Sequence, residues 1–455
     1  MSRAKRSTYA HLKLPGARSP KLRAPLAAGK TLLGYRAPDP GNQAPAEPTK
    51  KTRLAEPVWA ANRFAHGICI GPTGTGKGRS SLIPDLLTYP GSAVVVDPCG
   101  EAAKVTSRYR AEQLDQDVYI VDPFGVIGGT SSTFNPLDIR AFTGERLEDF
   151  ALGVPHLIHP DYKHSSKEPF WDNQADLLLS AITCSILATE AQSTRHLPRV
   201  AELLFGDDTI FELAKFLDTS GAKVPRFAYR NISNFLNTTE QTRSGILSVA
   251  QQHVQLFSTR TVQESIKTTS LDIQGFSDGV PMTIYLVLPP NRLKSHGVLL
   301  RMWLSGLLRI ALNRKRMPTL PTSFYVDELA QIGTLNEIET AYTLMRKYGI
   351  RMAIYLQDLQ QLQRLYPDSW RTLLGNAGVM QAFRPNTRIA ARQLAKLFPK
   401  ALKADDLLGL DEDQQVILEQ GGRYARSRKL DYLHDPLYAG RFDINPLYGE
   451  RTSLN

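Results

Sequence analysis

The residues best suited to chemistry begin with the stretch GPTGTGKG at residues 71–78. It fits the phosphate-binding pattern G-x-x-x-x-G-K-[ST] as far as Lys77, but Gly78 stands where that pattern has a hydroxyl. Glycines let backbone N–H groups turn onto phosphate oxygens, and the lysine reaches the β- and γ-phosphates. We therefore predict a nucleotide-binding loop made of Gly71, Pro72, Thr73, Gly74, Thr75, Gly76, Lys77, Gly78 and Arg79.

A second candidate is the acidic pair that ends the run TSFYVDE at residues 322–328. An acidic pair after a β-rich run is the Walker B arrangement, in which Asp327 would hold Mg²⁺ through water and Glu328 would polarise the attacking water. Taken alone, such a pair is equally typical of a solvated turn. Together with the loop at Lys77 it favours an ATPase.

Two further residues fit the same chemistry. The run RMAIYLQD from Arg351 places Gln357 at a strand end, where an amide can contact the γ-phosphate or the lytic water. The helical stretch before it carries Arg346, and ring ATPases need a cation from the neighbouring subunit to neutralise transition-state charge. The alternatives are an ordinary strand-end glutamine and a solvated helix end.

These residues need strands to position them, and β-rich runs alternate with helical stretches from residue 64 onward. Several runs are almost continuously apolar, as in strands buried on both faces of a parallel sheet. The pattern predicts an α/β fold with a mostly parallel central sheet. The predicted strands are residues 64–70, 92–98, 117–123, 282–289, 322–328, 351–358, 378–385 and 415–421.

One region lacks strands. Between residues 139 and 266 the apolar side chains recur at helical spacing, which predicts an inserted all-α domain. We therefore divide the chain into a flexible basic segment at 1–55, a nucleotide-binding domain at 56–140 and 258–455, and an all-α domain at 141–257.

Charge is concentrated at one end of the chain. The net charge of the 455 residues is +11, and residues 1–53 hold twelve Lys and Arg against two acidic residues. Because this segment is also rich in Pro, Gly and Ala, we expect it to be flexible. It could contact nucleic-acid phosphates or an anionic membrane surface, or act only as a solubilising arm.

Other spacings give little. Three scattered cysteines predict neither a disulfide framework nor a cysteine-based zinc site, which suits a reducing compartment. His156, His159 and His164 lie close together, but no Cys or acidic partner stands at ligand spacing, so a zinc site there is not favoured. The stretch GGRYARSRKL from Gly421 is more typical of a solvated charged loop than of a nucleic-acid contact.

With these pieces placed, the sequence resembles the type IV secretion coupling proteins, the TraG-like ATPases of bacterial conjugation. Their loop has the form GPTGSGKG, so Gly78 looks like the family's own variant. The family's D-P-K-G-E appears here as DPCGE at residues 97–101, with Cys99 in place of lysine. Other family-like segments are VDPFG, FNPLD, YLVLPP, DELAQIG, YLQDLQQL and LHDPLYAGRFD, and together the resemblance spans residues 55–445.

The resemblance implies a RecA-like P-loop NTPase with the all-α domain inserted, bound to ATP and Mg²⁺. It implies a homo-hexamer that moves DNA, with or without an attached relaxase, to a type IV secretion channel. It also puts Arg346 and Gln357 where the family has its arginine finger and glutamine sensor. Such a protein would be found in the bacterial cytoplasm, including its inner-membrane periphery.

The sequence departs from the family at its start, where two transmembrane helices are usual and a basic segment stands here. We expect membrane docking, if it occurs, to be peripheral. Three other functions stay open: a coupling ATPase for protein effectors, an ATP-binding scaffold of the channel, which Gly78 favours, and a general DNA pump. The DPCGE and FNPLD segments count against the last.

Overall fold

The computed structural model describes residues 31–36, 57–60, 66–159, 169–399 and 402–448, and its centre is one sheet of eleven strands. The strands, in chain order, are β1 Leu32–Arg36, β2 Pro57–Trp59, β3 Gly67–Ile70, β4 Ala93–Asp97, β5 Asp117–Val121, β6 Met282–Val287, β7 Thr322–Val326, β8 Ile350–Leu356, β9 Val379–Phe383, β10 Gln414–Glu419 and β11 Tyr424–Arg428.

The sheet has a parallel part and an antiparallel part. Its order is β2-β1-β11-β10-β9-β3-β8-β7-β4-β6-β5, and every pair from β9 to β5 is parallel. The pairs from β9 to β2 are antiparallel. Every residue of β4, β6 and β7 is buried, which explains their continuous apolar runs. The predicted mostly parallel α/β fold is confirmed.

All eight predicted strands are present, and three more were missed. The prediction that residues 1–55 are flexible is wrong at β1, where Leu32, Leu33 and Gly34 are buried and the strand pairs with β11 and β2. The rest of that segment lies outside the described residues. The prediction of a loop from Gly421 is also wrong, because β10 and β11 form an antiparallel pair joined by a tight turn. Both glycines of that turn have positive φ.

A group of helices lies between β5 and β6, in the region where the sequence predicted an all-α insertion. Within the described part of residues 122–281 the only regular elements are helices. They are Arg140–Thr143, Leu147–Ile158, Pro169–Thr189, Leu197–Leu204, Thr209–Ser220, Arg226–Leu236, Glu240–Val254, Arg260–Ile266 and Ile273–Asp278, with short 3₁₀ turns at Gln192–Thr194 and Gln255–Ser258. The helical insert is confirmed; the exact division into domains stays a prediction.

The remaining helices connect the strands of the sheet. Side-chain caps start some of these helices, as where the Asp358 carboxylate accepts from Gln361 N and the Thr387 hydroxyl from Ala390 N. They are Ile83–Thr88, Glu101–Glu112, Pro290–Leu312, Leu329–Ile332, Asn336–Leu344, Leu359–Leu365, Trp370–Asn376, Arg388–Ala395 and Ala404–Leu408. None of the helices that the structure describes is both long and apolar enough to cross a bilayer.

One core joins the helical group to the sheet. Helix Pro290–Leu312 buries Trp303 completely, and its indole Nε1 donates to Phe134 O at 2.9 Å. Helix Pro169–Thr189 is buried over most of its second half and packs against Leu147–Ile158 and Glu240–Val254. The long apolar stretch from Val298 lies in helix Pro290–Leu312 and is mostly buried.

Candidate nucleotide site

The predicted phosphate loop follows β3 directly, at the carboxyl edge of the parallel strands. Gly74 and Gly76 have φ of +82° and +83°, a conformation that favours glycine, so the backbone can turn its N–H groups inward. Lys77 is only 9% exposed, and its ammonium donates to Gly71 O at 2.6 Å and Pro72 O at 3.3 Å. These hydrogen bonds from the buried Lys77 ammonium hold the start of the loop close to its end.

The chain after the lysine begins as a π turn and continues as an α-helix. The π turn spans Gly78–Leu82, with Ile83 N donating to Gly78 O, and the α-helix Ile83–Thr88 follows. The helix changes type next to Pro84 but does not end there. Proline is tolerated in a first turn because its missing N–H needs no partner.

The acidic pair lies at the end of β7, and Gln357 reaches it from the end of β8. The Gln357 side-chain Nε2 donates to both Glu328 carboxylate oxygens, at 3.2 and 3.0 Å. Because β8 lies between β3 and β7, the loop, the glutamine and the acids all meet at one edge. Burial, and then the neighbouring Glu328 charge, raise the pKa of Asp327 to about 6, while Lys77 opposes that shift.

Glu328 has an unusual backbone. Its φ of 55° and ψ of 49° lie in the left-handed region, which few non-glycine residues occupy and which costs roughly 1–3 kcal/mol. It stands at the start of the short helix Leu329–Ile332. A carboxylate kept at a strained position and held through both oxygens is oriented by the fold rather than free to rotate.

Two further acids of the DPCGE segment share this edge, and sequence reasoning gave them no role. A Cβ atom added to Gly78 would lie 3.6 Å from Glu101 Oε2, so this carboxylate faces the position where the usual pattern has a hydroxyl. Asn445 Nδ2 donates to Glu101 Oε1 at 2.6 Å. Burial raises the pKa of Asp97 to about 7, although Ala103 N donates to it at 2.8 Å. The signal was available, since DPCGE directly follows a predicted strand.

A cavity of about 830 Å³ opens on the other side of the loop. Lys429, which directly follows β11, lines it and donates to Thr75 O at 3.0 Å and Glu412 O at 2.7 Å, so the antiparallel part of the sheet supports the loop. Arg79 forms two hydrogen bonds with the Asp431 carboxylate, at 2.7 and 2.5 Å. The contacts from Lys429 to Thr75 and from Arg79 to Asp431 were not predicted, because the partners lie 354 and 352 residues apart in the chain.

The last predicted residue, Arg346, belongs by its backbone to the 3₁₀ turn Met345–Tyr348 before β8. Its side chain lies outside the described residues, and its role stays a prediction. The neighbouring Lys347 is exposed.

Comparisons with known proteins identify a family. A model of the family described as "Type IV secretory system Conjugative DNA transfer" matches residues 41–402. The chain belongs to this family. The resemblance inferred from the loop, DPCGE and DELAQIG segments is therefore confirmed.

Curated relatives carry the names of conjugation and secretion proteins. The conjugal transfer protein TraG of Agrobacterium fabrum is 29% identical over 308 residues, covering 66% of this chain and 45% of TraG. The type IV secretion system-coupling protein VirD4 of Bartonella quintana is 24% identical over 305 residues, covering 65% of this chain and 47% of VirD4. The chain spans about half the length of the curated relatives it matches.

Solved structures of the family share the fold. The plasmid coupling protein TrwB in complex with ADP and Mg²⁺ matches with a TM-score of 0.65 at 16% identity, over 90% of this chain and 96% of that one. This likeness agrees with a mostly parallel α/β sheet carrying a helical insert, as in other coupling proteins.

Proposed function

We propose that this protein is an ATP-hydrolysing coupling protein that drives DNA, or a relaxase–DNA complex, to a type IV secretion channel. The observation that carries the proposal is the meeting of Lys77, Asp327, Glu328 and Gln357 at one edge of the sheet. These are the parts that phosphoryl transfer needs: a cation, a metal ligand, a base and a group that orients the base.

Lys77 and the loop would bind the phosphates. The Lys77 ammonium now holds two carbonyls of its own loop, so phosphate oxygens would replace partners that are already oxygen atoms. Lys429 supports the same loop from the opposite side through Thr75 O. Phosphate binding would therefore use a loop that is already supported on both flanks.

The acidic side chains fit a magnesium ion. Mg²⁺ prefers oxygen ligands, is bound through one or two carboxylates and keeps several waters. Asp327, Glu328 and Glu101 supply carboxylates here. Burial, and then the Glu328 charge, raise the pKa of Asp327, and a bound cation would offset that charge. Asp327 would hold the ion through water, and Glu101 would supply the oxygen that Gly78 lacks. When bound, Mg²⁺ neutralises developing charge on the phosphates.

Glu328 would accept the proton of the attacking water. Gln357 donates to both of its oxygens, so the carboxylate plane is fixed and each oxygen keeps lone pairs for a further donor. Contact with the γ-phosphate would compete for the same amide. Gln357 is thus a positioning residue that can link the state of the nucleotide to the orientation of the base.

Arg346 would act between subunits of a homo-hexamer. It lies in the 3₁₀ turn that leads into β8, the strand that carries Gln357. A cation supplied in trans stabilises transition-state charge only after assembly, so hydrolysis would depend on protein concentration. The DNA track and the channel contacts are inferred from the family to which the chain belongs and from the names of its relatives, and the relaxase from the resemblance to conjugative coupling proteins.

The second candidate is an ATP-binding scaffold of the channel that does not hydrolyse. Gly78 favours it, because the usual metal-binding hydroxyl is missing. Against it stands the Glu101 carboxylate, 3.6 Å from the place of a Cβ at Gly78, together with the oriented Glu328. A coupling ATPase for protein effectors would use the same site with another cargo.

The test is the steady-state ATPase rate of purified protein, with and without single-stranded and double-stranded DNA, across protein concentrations. We expect a rate that rises steeply with both protein and DNA, and that Lys77→Ala lowers by at least about 100-fold, as loss of one preorganised donor does. Lys347→Ala, an exposed lysine of the turn at Arg346, is the matched control.

The outcomes separate the candidates. A negligible rate with intact ATP binding would favour the scaffold. A normal rate that no DNA changes, in a confirmed oligomer, would remove DNA as the direct track and favour protein cargo.

A further inference from the structure

A second group of metal-ligating side chains lies in the helical region and shares no residue with the nucleotide site. His159 directly follows helix Leu147–Ile158, Asp172 and Asp176 belong to helix Pro169–Thr189, and His253 belongs to Glu240–Val254. Three helices that pack together therefore each bring a ligand to one place. We call these four residues the His–Asp cluster.

The two carboxylates lie on one face of their helix because residues four apart share a face. Each faces a different imidazole: His159 Nε2 lies 3.0 Å from Asp176 Oδ1, and His253 Nε2 lies 3.7 Å from Asp172 Oδ1. The two imidazole rings overlap, with centroids 3.6 Å apart and planes at 33°. The four side chains are only 12–16% exposed.

The donor atoms already converge. One atom each from His159, Asp176 and His253 lies within 4.8 Å of the other two. Ligands bound to one ion at about 2.0–2.2 Å stand roughly 3–3.5 Å apart, so closure needs side-chain shifts of about 1 Å. Such shifts fall within rotamer adjustments and need no movement of the helices.

The charge state suits a cation. The carboxylates of Asp176 and Asp172 face the imidazoles of His159 and His253 respectively. A divalent ion would offset the carboxylates and use both rings as ligands.

We propose that His159, Asp176 and His253 bind a first-row transition-metal ion, with Asp172 as a fourth ligand or a partner of His253. The combination of imidazole nitrogen and carboxylate oxygen ligands indicates which class of metal would bind. Imidazole suits zinc, copper, iron and nickel, whereas Mg²⁺ and Ca²⁺ take oxygen ligands alone, and a His₂–carboxylate set is a common zinc arrangement. The ion would link three helices of the insert, so its main effect would be to stabilise that region.

The test uses untagged full-length protein, treated with a chelator and dialysed, then titrated with Zn²⁺ in the presence of excess Mg²⁺ and ADP to occupy the nucleotide site. We expect one tightly bound Zn²⁺ per chain and a melting temperature that rises with Zn²⁺. Zinc-edge X-ray absorption of the wild type should report two imidazole ligands.

Variants locate the site. Asp176→Asn and His253→Gln should each weaken Zn²⁺ binding by at least about tenfold, the loss seen when even an outer partner of a ligand is removed. His156→Gln is the matched control, since His156 is an exposed imidazole one turn before His159 on the same helix. Asp327→Asn controls for the nucleotide site. Both controls should bind Zn²⁺ as the wild type does.

Three results would overturn the proposal. They are no Zn²⁺ retained by the wild type, unchanged binding in both cluster variants, or an X-ray absorption spectrum without imidazole. If the variants fail to fold, the wild-type spectrum still decides. A plain His–Asp hydrogen-bond network would give variants that lose stability equally with and without chelator.

Discussion

Two regions of this molecule gather carboxylates, and they differ in what accompanies them. At the nucleotide edge, the acids Asp97, Glu101, Asp327 and Glu328 lie near one another, and the buried ammonium of Lys77 interacts with Asp327. In the His–Asp cluster, two carboxylates face two imidazoles. The first set is all oxygen with a fixed ammonium, which suits Mg²⁺ and phosphate together; the second mixes nitrogen and oxygen, which suits a transition metal.

The difference also lies in how each region is built. The nucleotide edge is made of strand ends, where parallel strands deliver their last residues to the same side of the sheet. The His–Asp cluster is made of helix faces whose meeting depends on packing. Side chains at strand ends can change orientation during a catalytic cycle. A metal ion in the His–Asp cluster would instead hold three packed helices in fixed positions.

The largest expected effect comes from Glu328→Gln. Replacing a general base lowers a rate by about 10²–10⁴-fold, and glutamine can still contact Gln357, so we expect ATP to bind while turnover is lost. ATP affinity and turnover are measured separately, by nucleotide binding and by phosphate release. Zn²⁺ binding at the His–Asp cluster should not change.

A variant of the His–Asp cluster tests whether the two regions are independent. Asp176→Asn should weaken Zn²⁺ binding and leave single-subunit ATP affinity unchanged. If Glu328→Gln alters Zn²⁺ binding, or Asp176→Asn alters ATP affinity, the two regions are coupled and the description of them as independent sites is wrong. If Glu328→Gln turns over at the wild-type rate, another residue is the base.

Much of the nucleotide edge could be predicted because its residues come in short contiguous motifs. The loop, the acidic pair and Gln357 each follow a recognisable strand, and eight strands were predicted correctly. The parallel sheet then brings those strand ends together without further information. Glu101 was within reach by the same reasoning, since DPCGE follows β4.

The rest depended on long-range packing. Strand β1 carries one small, one aromatic and two leucine residues in a basic segment, and its place in the sheet depends on pairing with the distant β11 and with β2. Lys429 acts on a loop more than 350 positions earlier in the chain. The ligands of the His–Asp cluster lie on three helices, so no spacing in the sequence reveals them.

A third prediction concerns Asp97, a buried acid of the nucleotide edge. Its pKa of about 7 in the folded protein exceeds the ordinary value of 3.8, so the folded state prefers the protonated form. The free energy of unfolding is therefore highest below about pH 4, and it falls as the pH rises to 7. The loss is roughly 4 kcal/mol at most, since one pKa unit is worth about 1.36 kcal/mol.

Asp97→Asn should remove that loss while its oxygen still accepts from Ala103 N. We expect the variant to be more stable than wild type at pH 8 and equal to it at pH 4, by denaturant unfolding. The control is Asp117→Asn, an exposed acid at the start of β5, which should shift stability by less than about 0.5 kcal/mol at either pH. A variant destabilised at pH 8 would mean that the charge of Asp97 is favourable in the fold.

The smallest expected effect tests whether Glu101 substitutes for the missing hydroxyl. Glu101→Gln keeps an oxygen that can accept from Asn445 but removes the charge beside Gly78, so we expect the Mg²⁺ concentration for half-maximal hydrolysis to rise about tenfold. The measurement is the ATPase rate at fixed ATP across a Mg²⁺ titration, with a coupled assay of phosphate release.

Gly78→Ser supplies the matched test, because its Cβ would meet Glu101 Oε2 at the ordinary distance of 3.6 Å and its φ needs no glycine. A serine hydroxyl there should restore Mg²⁺ affinity when combined with Glu101→Gln. If Glu101→Gln leaves the titration unchanged, Asp327 and water alone hold the ion. The nucleotide edge then needs fewer carboxylates than it has, and Glu101 serves to anchor Asn445 against the loop.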